Sequence, residues 1–531
     1  MLCQPRCYDL VEVGKASAQA MAGTTALIFG TQLYAEQPAL QGADRVLMVE
    51  SAARLRSKAW HAQKLIFILS AMRHYAEQLR QRGILVDYRR APSFEQALKA
   101  HIAEYQPERI QCVPPHEYAA DQIMRRRAAQ LAARGITVHF TEDDPAFLCA
   151  RHEFAAWARG KRQLIMEPFY RWQRQRLGYL MDGAQPLGGR WNFDQENRRG
   201  AATLPTAPPL PSLVPDTLTQ RVIEEVRRDF PNAFGEPEPF RYPTTHAQAA
   251  EWLERFIAER LANFGAWEDA MSADDPFLFH SVCALLLNVG LLTPRQAADA
   301  AQRAFERGNI PLQSAEGFIR QIIGWREFVY GIYWLHMPAY AQQNFFAHHN
   351  PVPSFFWSGE TPMRCLAQTI STIRQHAYTH HIPRLMLLVN FGNLAALDPA
   401  ALTDWFMSVY IDAYDWVMQP NVLGFLYADG GKMATKPYVA SAAYIKKMSR
   451  GYCERCHYDP NLRVGERACP FNTLYWDFLA RHAEKLAKNH RMALILKGLA
   501  KRNDLPAIQA RAEALRRTWA LQSAADRGAE A

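Results

Sequence analysis

The chain has 531 residues, 49% of them hydrophobic, and 61 Lys plus Arg against 52 Asp plus Glu give a formal net charge of +9. The length suits two or three domains with large cores, and the basic balance is compatible with nucleic acid or an anionic cofactor. Nine cysteines without a disulfide framework, no apolar run of membrane-spanning length and no signal-peptide core in residues 1–20 point to a reducing cytoplasm and exclude a secreted disulfide scaffold or a membrane span.

Residues 1–21 read as a polar leader carrying Cys3 and Cys7, with no further ligands clustered nearby. Residues 22–148 alternate strand and helix signals. Short apolar or β-branched runs fall at 25–29, 45–49, 84–88, 109–113 and 136–140. Between them the clearest helix is 59–82, where Leu65, Leu69, Met72 and Ala76 recur at helical spacing. This alternation predicts an α/β unit with a doubly wound parallel sheet, covered on both faces and offering a crevice at the carboxyl ends of its strands. The first strand runs into Phe29-Gly30-Thr31-Gln32 and not into G-x-G-x-x-G, which argues against a dinucleotide site there. Residues 149–245 read as a connector, with a helix around 162–180, Gly188-Gly189 and a proline-rich stretch at 204–215. Residues 246–520 read as all-helical, with helices at 249–261, 276–287, 294–307, 315–334, 362–377 and 400–415, and 521–531 as a frayed tail.

Four cysteines in the last third stand out: Cys365, the C-x-x-C of Cys453 and Cys456, and Cys469 before Pro470. A C-x-x-C turn offers two sulfurs, and a Cys-Pro exit is common in iron–sulfur loops; a zinc half-site is the rival reading. Thr361-Pro362 reads as an N-cap and first helical residue, which puts Cys365 in a first turn, where the helix dipole favours a thiolate. Cys112 reads as a small core residue.

The α/β unit, connector and helical domain together resemble the layout of photolyases and cryptochromes. Phe318-Ile319-Arg320-Gln321-Ile322-Ile323-Gly324-Trp325-Arg326-Glu327-Phe328 resembles the helix lining their flavin and lesion pocket. His280-Ser281 resembles the segment at the flavin phosphates, Tyr378-Thr379-His380-His381-Ile382-Pro383-Arg384 the lesion-side helix, and Ile411-Asp412-Ala413-Tyr414-Asp415 the segment touching the isoalloxazine. The finer match is to the bacterial iron–sulfur branch, the prokaryotic (6-4) photolyases, through the cysteine spacing, Met166-Glu167-Pro168-Phe169-Tyr170-Arg171 and Gly188-Gly189-Arg190-Trp191-Asn192-Phe193-Asp194.

That resemblance implies FAD, a [4Fe–4S] cluster on Cys365, Cys453, Cys456 and Cys469, and light-driven repair of (6-4) photoproducts. It implies His380 and His381 as catalytic residues, His381 foremost, because reversal of the lesion needs a proton delivered as oxygen moves between bases. His280, Ser281, Gln321, Arg384, Asp412, Tyr414 and Met418 are its FAD contacts, and Asp269, Trp325 and Arg326 its lesion or DNA contacts. Trp357 and Trp405 match the tryptophans of flavin photoreduction, and Phe406 closes a branch that needs tyrosine. The antenna, 6,7-dimethyl-8-ribityllumazine or another chromophore, falls to Thr31, where the family usually has aspartate, and to Glu50. The implied partner is DNA with ultraviolet photoproducts, single- or double-stranded, met by a monomer in the cytoplasm or on the nucleoid. The alternative is a blue-light receptor with the same cofactors; a third reading is an iron–sulfur nucleic-acid-binding module similar to primase large subunits.

Overall fold

The computed structural model describes residues 23–529, and side chains through residue 522. The expected leader, with Cys3 and Cys7, lies outside the described residues. Strands β1 (Thr24–Leu27), β2 (Arg45–Ser51), β3 (Leu85–Ala91), β4 (Arg109–Cys112) and β5 (Thr137–Phe140) form one parallel sheet in the order β3-β2-β1-β4-β5. Alternation of side chains feeds two separate cores. Ala26, Val46 and Met48 pack with the Leu65, Leu69 and Met72 face of helix Ala62–Gln81. Leu27, Leu47 and Ile110 point the other way, toward Leu98, Ile102, Met124 and Leu131 of helices Phe94–Tyr105 and Tyr118–Ala132. The sheet is therefore doubly wound, as the sequence predicts, and the strand order reverses at β1.

Helix Ala62–Gln81 also joins this layer to the helical remainder. His61 caps it, with Nδ1 accepting from the Gln63 N–H at 3.1 Å, while Nε2 faces the carbonyls of Ile373 and Arg374 at 2.9 and 3.1 Å. One turn on, the buried Lys64 ammonium donates to the carbonyls of Met407 (2.9 Å) and Ala413 (2.6 Å). Among the described residues no helix is long and apolar enough to cross a membrane.

Several helical expectations shift. Helix 315–334 is found as a continuous run, Leu312–Ile319, Arg320–Arg326 and Glu327–His336, whose middle seven residues are π-helical. Helix 362–377 starts later, at Arg364, because the Thr361 hydroxyl accepts from the Met363 N–H (3.3 Å) and does not cap; Cys365 still lies in the first turn. Helix 276–287 is replaced by turns and a short helix, Ala284–Val289. There Ser272 Oγ accepts from the N–H groups of Asp274 and Asp275, and Asp275 Oδ1 from those of Phe277 and Leu278, so side chains take backbone donors that a helix would use. Helix 400–415 divides into Pro399–Val409 and Asp415–Phe425, leaving residues 410–414 irregular. The last helix, Leu505–Ala529, runs into the segment expected to fray as far as residue 529.

Gly235 is a sensitive point of the junction: φ is +72°, and a Cβ there would overlap the His61 ring and the Arg374 carbonyl. Gly235→Ala should destabilise the protein by about 2–4 kcal/mol, from backbone strain plus overpacking, read from the midpoint of chemical denaturation. An unchanged midpoint would show that the junction yields freely.

Candidate active site and cysteine centre

The local chain path after helix Arg364–His376 sets the site. Ala377, at φ +52°, ends that helix, and the next helical turn begins at His381. His380 Nδ1 accepts from the Ile382 N–H (3.4 Å), so the ring proton of a neutral His380 belongs on Nε2. Residues Pro383–Val389 then form a second π-helical segment. Extra residues of this kind re-aim side chains and recur at functional sites. Here the two π segments carry Gln321 and Arg384.

Arg384 is gripped on all sides. Its guanidinium meets Asp412 through two parallel bonds of 2.9 and 3.0 Å, its Nε donates to the Thr379 carbonyl (2.7 Å), and it lies 3.9 Å over the Tyr410 ring. Burial alone would lower the Arg384 pKa; the Asp412 charge reverses this and the net shift is upward. Asn288 Nδ2 donates to the Asp412 carbonyl at 2.9 Å. Tyr414 and Met418 are buried alongside, on and just after the same irregular segment.

Three imidazoles gather opposite. The His280 and His380 rings stack at 4.1 Å with 15° between planes, and His381 stands edge-on to His280 at 5.4 Å. Burial pushes the pKa of both His280 and His380 well below the usual imidazole range, with the charge of His381 adding to the effect. His381 is exposed, with Nε2 3.7 Å from Asp269 Oδ1. Burial disfavours the charged form of its two neighbours, and of the three rings only His381 opens to solvent. The three sets of ligand nitrogens lie within 4.8 Å of one another, but stacked rings send their lone pairs along parallel planes.

Sequence reasoning passed over Glu268, next to Asp269. It is buried, accepts from Gln321 Nε2 at 2.6 Å, and burial pushes its pKa up to about 7 against the pull of His381 and Arg320. The adjacent acidic pair Glu268-Asp269 was the available signal. Backbone strain also marks this corner: Leu278 and Val282, flanking His280, have φ of +44° and +54°, rare for such side chains.

The four cysteines converge. Cys365 comes from the first turn of its helix, Cys453 and Cys456 from one tight turn, and Cys469 caps helix Pro470–Arg481. All four line one cavity, walled by Met363, Ile445, Tyr452 and Phe471. Burial raises the Cys365 thiol far above its ordinary pKa, and the other three sulfurs raise it further.

Comparison with known proteins agrees with this architecture. Residues 26–242 match the family model of deoxyribodipyrimidine photo-lyase-related proteins. A (6-4) photolyase of Agrobacterium fabrum is 46% identical over 478 residues, which cover 88% of this chain and 93% of that one. The chain belongs to the bacterial (6-4) photolyase branch of the photolyase/cryptochrome family. In fold it is similar to a bacterial class III photolyase from Agrobacterium tumefaciens (TM-score 0.54, 16% identity, 81% of this chain and 84% of that one). A Synechocystis cryptochrome is alike to the same degree (TM-score 0.54, 13% identity, 78% and 83%).

Family membership implies FAD, and the helical half fits it. Around the Arg384–Asp412 pair, Arg241 Nε, His280 Nε2 and His376 Nδ1 are buried without a hydrogen-bond partner, which a polar ligand would supply. Several residues expected in photolyase roles already have partners within the protein. His280 is drawn into the imidazole group; Ser281 Oγ accepts from the Cys283 N–H (3.2 Å), and the following helix, of six residues, starts only at Ala284. The pair therefore presents no helix terminus to a pyrophosphate. Arg326 faces inward, not toward DNA: it donates to the Ala146 carbonyl and lies over Phe147 (4.5 Å) and Trp416 (5.0 Å). Trp325 is half-buried against Phe328 and Phe425. Glu50 is held by Arg73 (2.8 Å), Arg90 (3.3 Å) and Tyr88 (2.5 Å), so its carboxylate is already saturated. Thr31 is half-buried beyond the end of β1.

The folded protein binds the Glu268 proton more tightly than an unfolded chain does. That stabilisation is complete below the ordinary carboxylate value of 4.5 and is lost as pH rises through about 7. Measured against Glu268→Gln by urea denaturation, wild-type stability should fall by about 3 kcal/mol across that window and stay level above it. A difference that does not vary with pH would overturn the buried-carboxyl assignment.

Proposed function

We propose that the chain is a light-driven lyase that reverses (6-4) pyrimidine photoproducts in DNA. The observation that carries this reading is the polarised imidazole group: two buried neutral rings backing an exposed His381 beside Asp269. FAD, when bound and reduced, supplies on photoexcitation the electron that opens the lesion and receives it back. The chain's own residues position, insulate and move protons. His381, at the open edge, holds the proton delivered to the oxygen that moves between bases, and the Asp269 carboxylate balances the positive imidazole. His280 and His380 keep water and charge out of the wall behind it. The Arg384–Asp412 pair fixes the segment that carries Tyr414 and leads to Met418, the side of the site assigned to the flavin ring. DNA must present the base extruded, which is least costly at a damaged, unstacked step.

A route for electrons leads outward from this pair. Arg384 lies on Tyr410, Tyr410 is 6.3 Å from the buried Trp405, and Trp405 is 6.5 Å from Trp357, which is 38% exposed. These are hopping distances between oxidisable rings ending at solvent. Phe406 stacks on Tyr410 and offers no phenol of its own.

The four-cysteine cavity fits a [4Fe–4S] cluster in donor number, sulfur chemistry and apolar wall, and we assign it that group. For a lumazine antenna the two named residues do not make a fit: Glu50 is saturated by ion pairs and Thr31 offers a single hydroxyl. No step is routed through an antenna.

Purified protein under blue light should clear (6-4) lesions from a damaged oligonucleotide; His381→Ala should lose at least about 100-fold in rate while retaining FAD absorbance. Lesions that persist with reduced flavin under strong light would favour the receptor reading. Separately, Trp405→Phe should slow photoreduction of oxidised flavin by an order of magnitude or more and leave repair by chemically reduced protein intact.

A further inference from the structure

The cysteine loop reaches the lesion side of the pocket through the backbone. Met271–Ser272 pairs in parallel with Ser449–Arg450, in the register Met271↔Ser449 and Ser272↔Arg450. The ladder continues as the Ala273 N–H donates to the Arg450 carbonyl at 2.9 Å. Asp269 lies two residues before this ladder and Cys453 three residues after it on the partner strand. That is at most about 7 Å and about 10 Å of extended chain, too short for either end to move independently.

Further contacts brace the same joint. Arg364, next to Cys365, donates from Nε to the Gly451 carbonyl at 3.1 Å. The Gly451 N–H goes to Glu454 Oε2 (3.0 Å), and the Tyr452 hydroxyl faces the Ser272 carbonyl at 3.4 Å. Gly451 has φ +85°, and a Cβ there would come within 3.0 Å of Ala273 Cβ, so the two segments touch at the closest backbone approach. Beyond the ladder, the turn bonds of Ser272 and Asp275 stiffen the path to His280. One segment, 268–280, thus carries Glu268, Asp269 and His280, and its middle is tied to the loop that carries Cys453.

We propose that the cysteine centre acts as a remote clamp on the lesion pocket, setting the position of Asp269 against His381 through the ladder between residues 271–273 and 449–451. Gly451 and Ser272 are positioning residues in this arrangement, acting through the ladder on Asp269. The inference rests on the repair reading for its consequence, though not for its geometry. A cluster far from the reacting atoms thereby acquires a mechanical role. An intact loop holds the carboxylate in place, and a loop without its cross-link releases it.

The test uses the holoprotein with iron and flavin contents verified. Gly451→Val forces a β-branched residue into a positive φ and against Ala273. In the dark, the ring resonance of His381 in histidine-labelled protein should move in the same direction as it does in Asp269→Asn, and the double variant should move no further. Repair should fall by about 10- to 100-fold, the scale of an ångström-level displacement, with cluster and flavin absorbance unchanged. Gly451→Ala, a milder change at the same site, should give a smaller shift of the same sign and serves if the valine variant does not fold. A His381 resonance that stays put in folded, cluster-loaded variants, or shifts that add fully to those of Asp269→Asn, would overturn the clamp. Wild-type protein without repair activity would overturn the lyase reading and leave the resonance test standing.

Discussion

The buried pair of Arg384 and Asp412 is the constraint around which the helical half is arranged. Removing two charges from water is costly, and such a pair persists only where geometry and further hydrogen bonds compensate. Here the compensation comes from different parts of the chain. Arg384 belongs to a π-helical turn, Asp412 to the break between two helices, Thr379 to the segment before the histidines and Asn288 to the short helix after His280. Remove any one and an uncompensated charge or carbonyl remains in a site built from Tyr378, Tyr410 and Tyr414. The irregular segment 410–414 is therefore fixed by its bonds, although it has no regular secondary structure.

The opposite wall works by asymmetry. His280, His380 and His381 have the same side chain and differ only in exposure. Stacking and burial hold the first two neutral; solvent and Asp269 are reserved for the third. Behind them Glu268 titrates near neutrality, so the pocket holds a buried carboxyl whose charge state changes in the range where the protein works.

The sheet was legible because strand alternation and helix spacing are local, and each strand's residues divide cleanly between two cores. Spacing made Cys453, Cys456 and Cys469 legible as a group, while Cys365 was reached through its place in a helix first turn and through the family resemblance. What could not be read were side-chain competitions with the backbone. Thr361 looks like a cap but serves the Met363 N–H; Ser272 and Asp275 dissolve the first turns of an apparent helix; both π segments leave the apolar pattern almost unchanged. Arg326 shows the limit of carrying roles by motif. It lies in the same run as Gln321, yet Gln321 meets Glu268 while the Arg326 guanidinium lies over Phe147 and Trp416 at the junction with the α/β layer. The stacking of His280 on His380 could not be read either, since the positive φ angles on either side of it leave no mark in residue type.

The α/β layer has its own hold on the flavin side of the site. Lys64 inserts an ammonium group beneath the end of helix Pro399–Val409, where carbonyls lack helical partners, and reaches the Ala413 carbonyl one residue from Asp412. Hydrogen bonds that involve a charged group contribute about 1.5–3 kcal/mol each. Burial lowers the Lys64 pKa to about 7, with Glu117 and Asp412 opposing that shift and Arg54 and Lys58 reinforcing it. The folded state holds that proton less tightly than an unfolded chain does, so raising the pH through that value removes a burial cost, while the bidentate pair on the other side of the loop keeps its charge. The segment is thus held by one contact that titrates near neutrality and one that does not. Its placement depends on both halves of the molecule, since Lys64 comes from the sheet layer and Arg384 from the helical half.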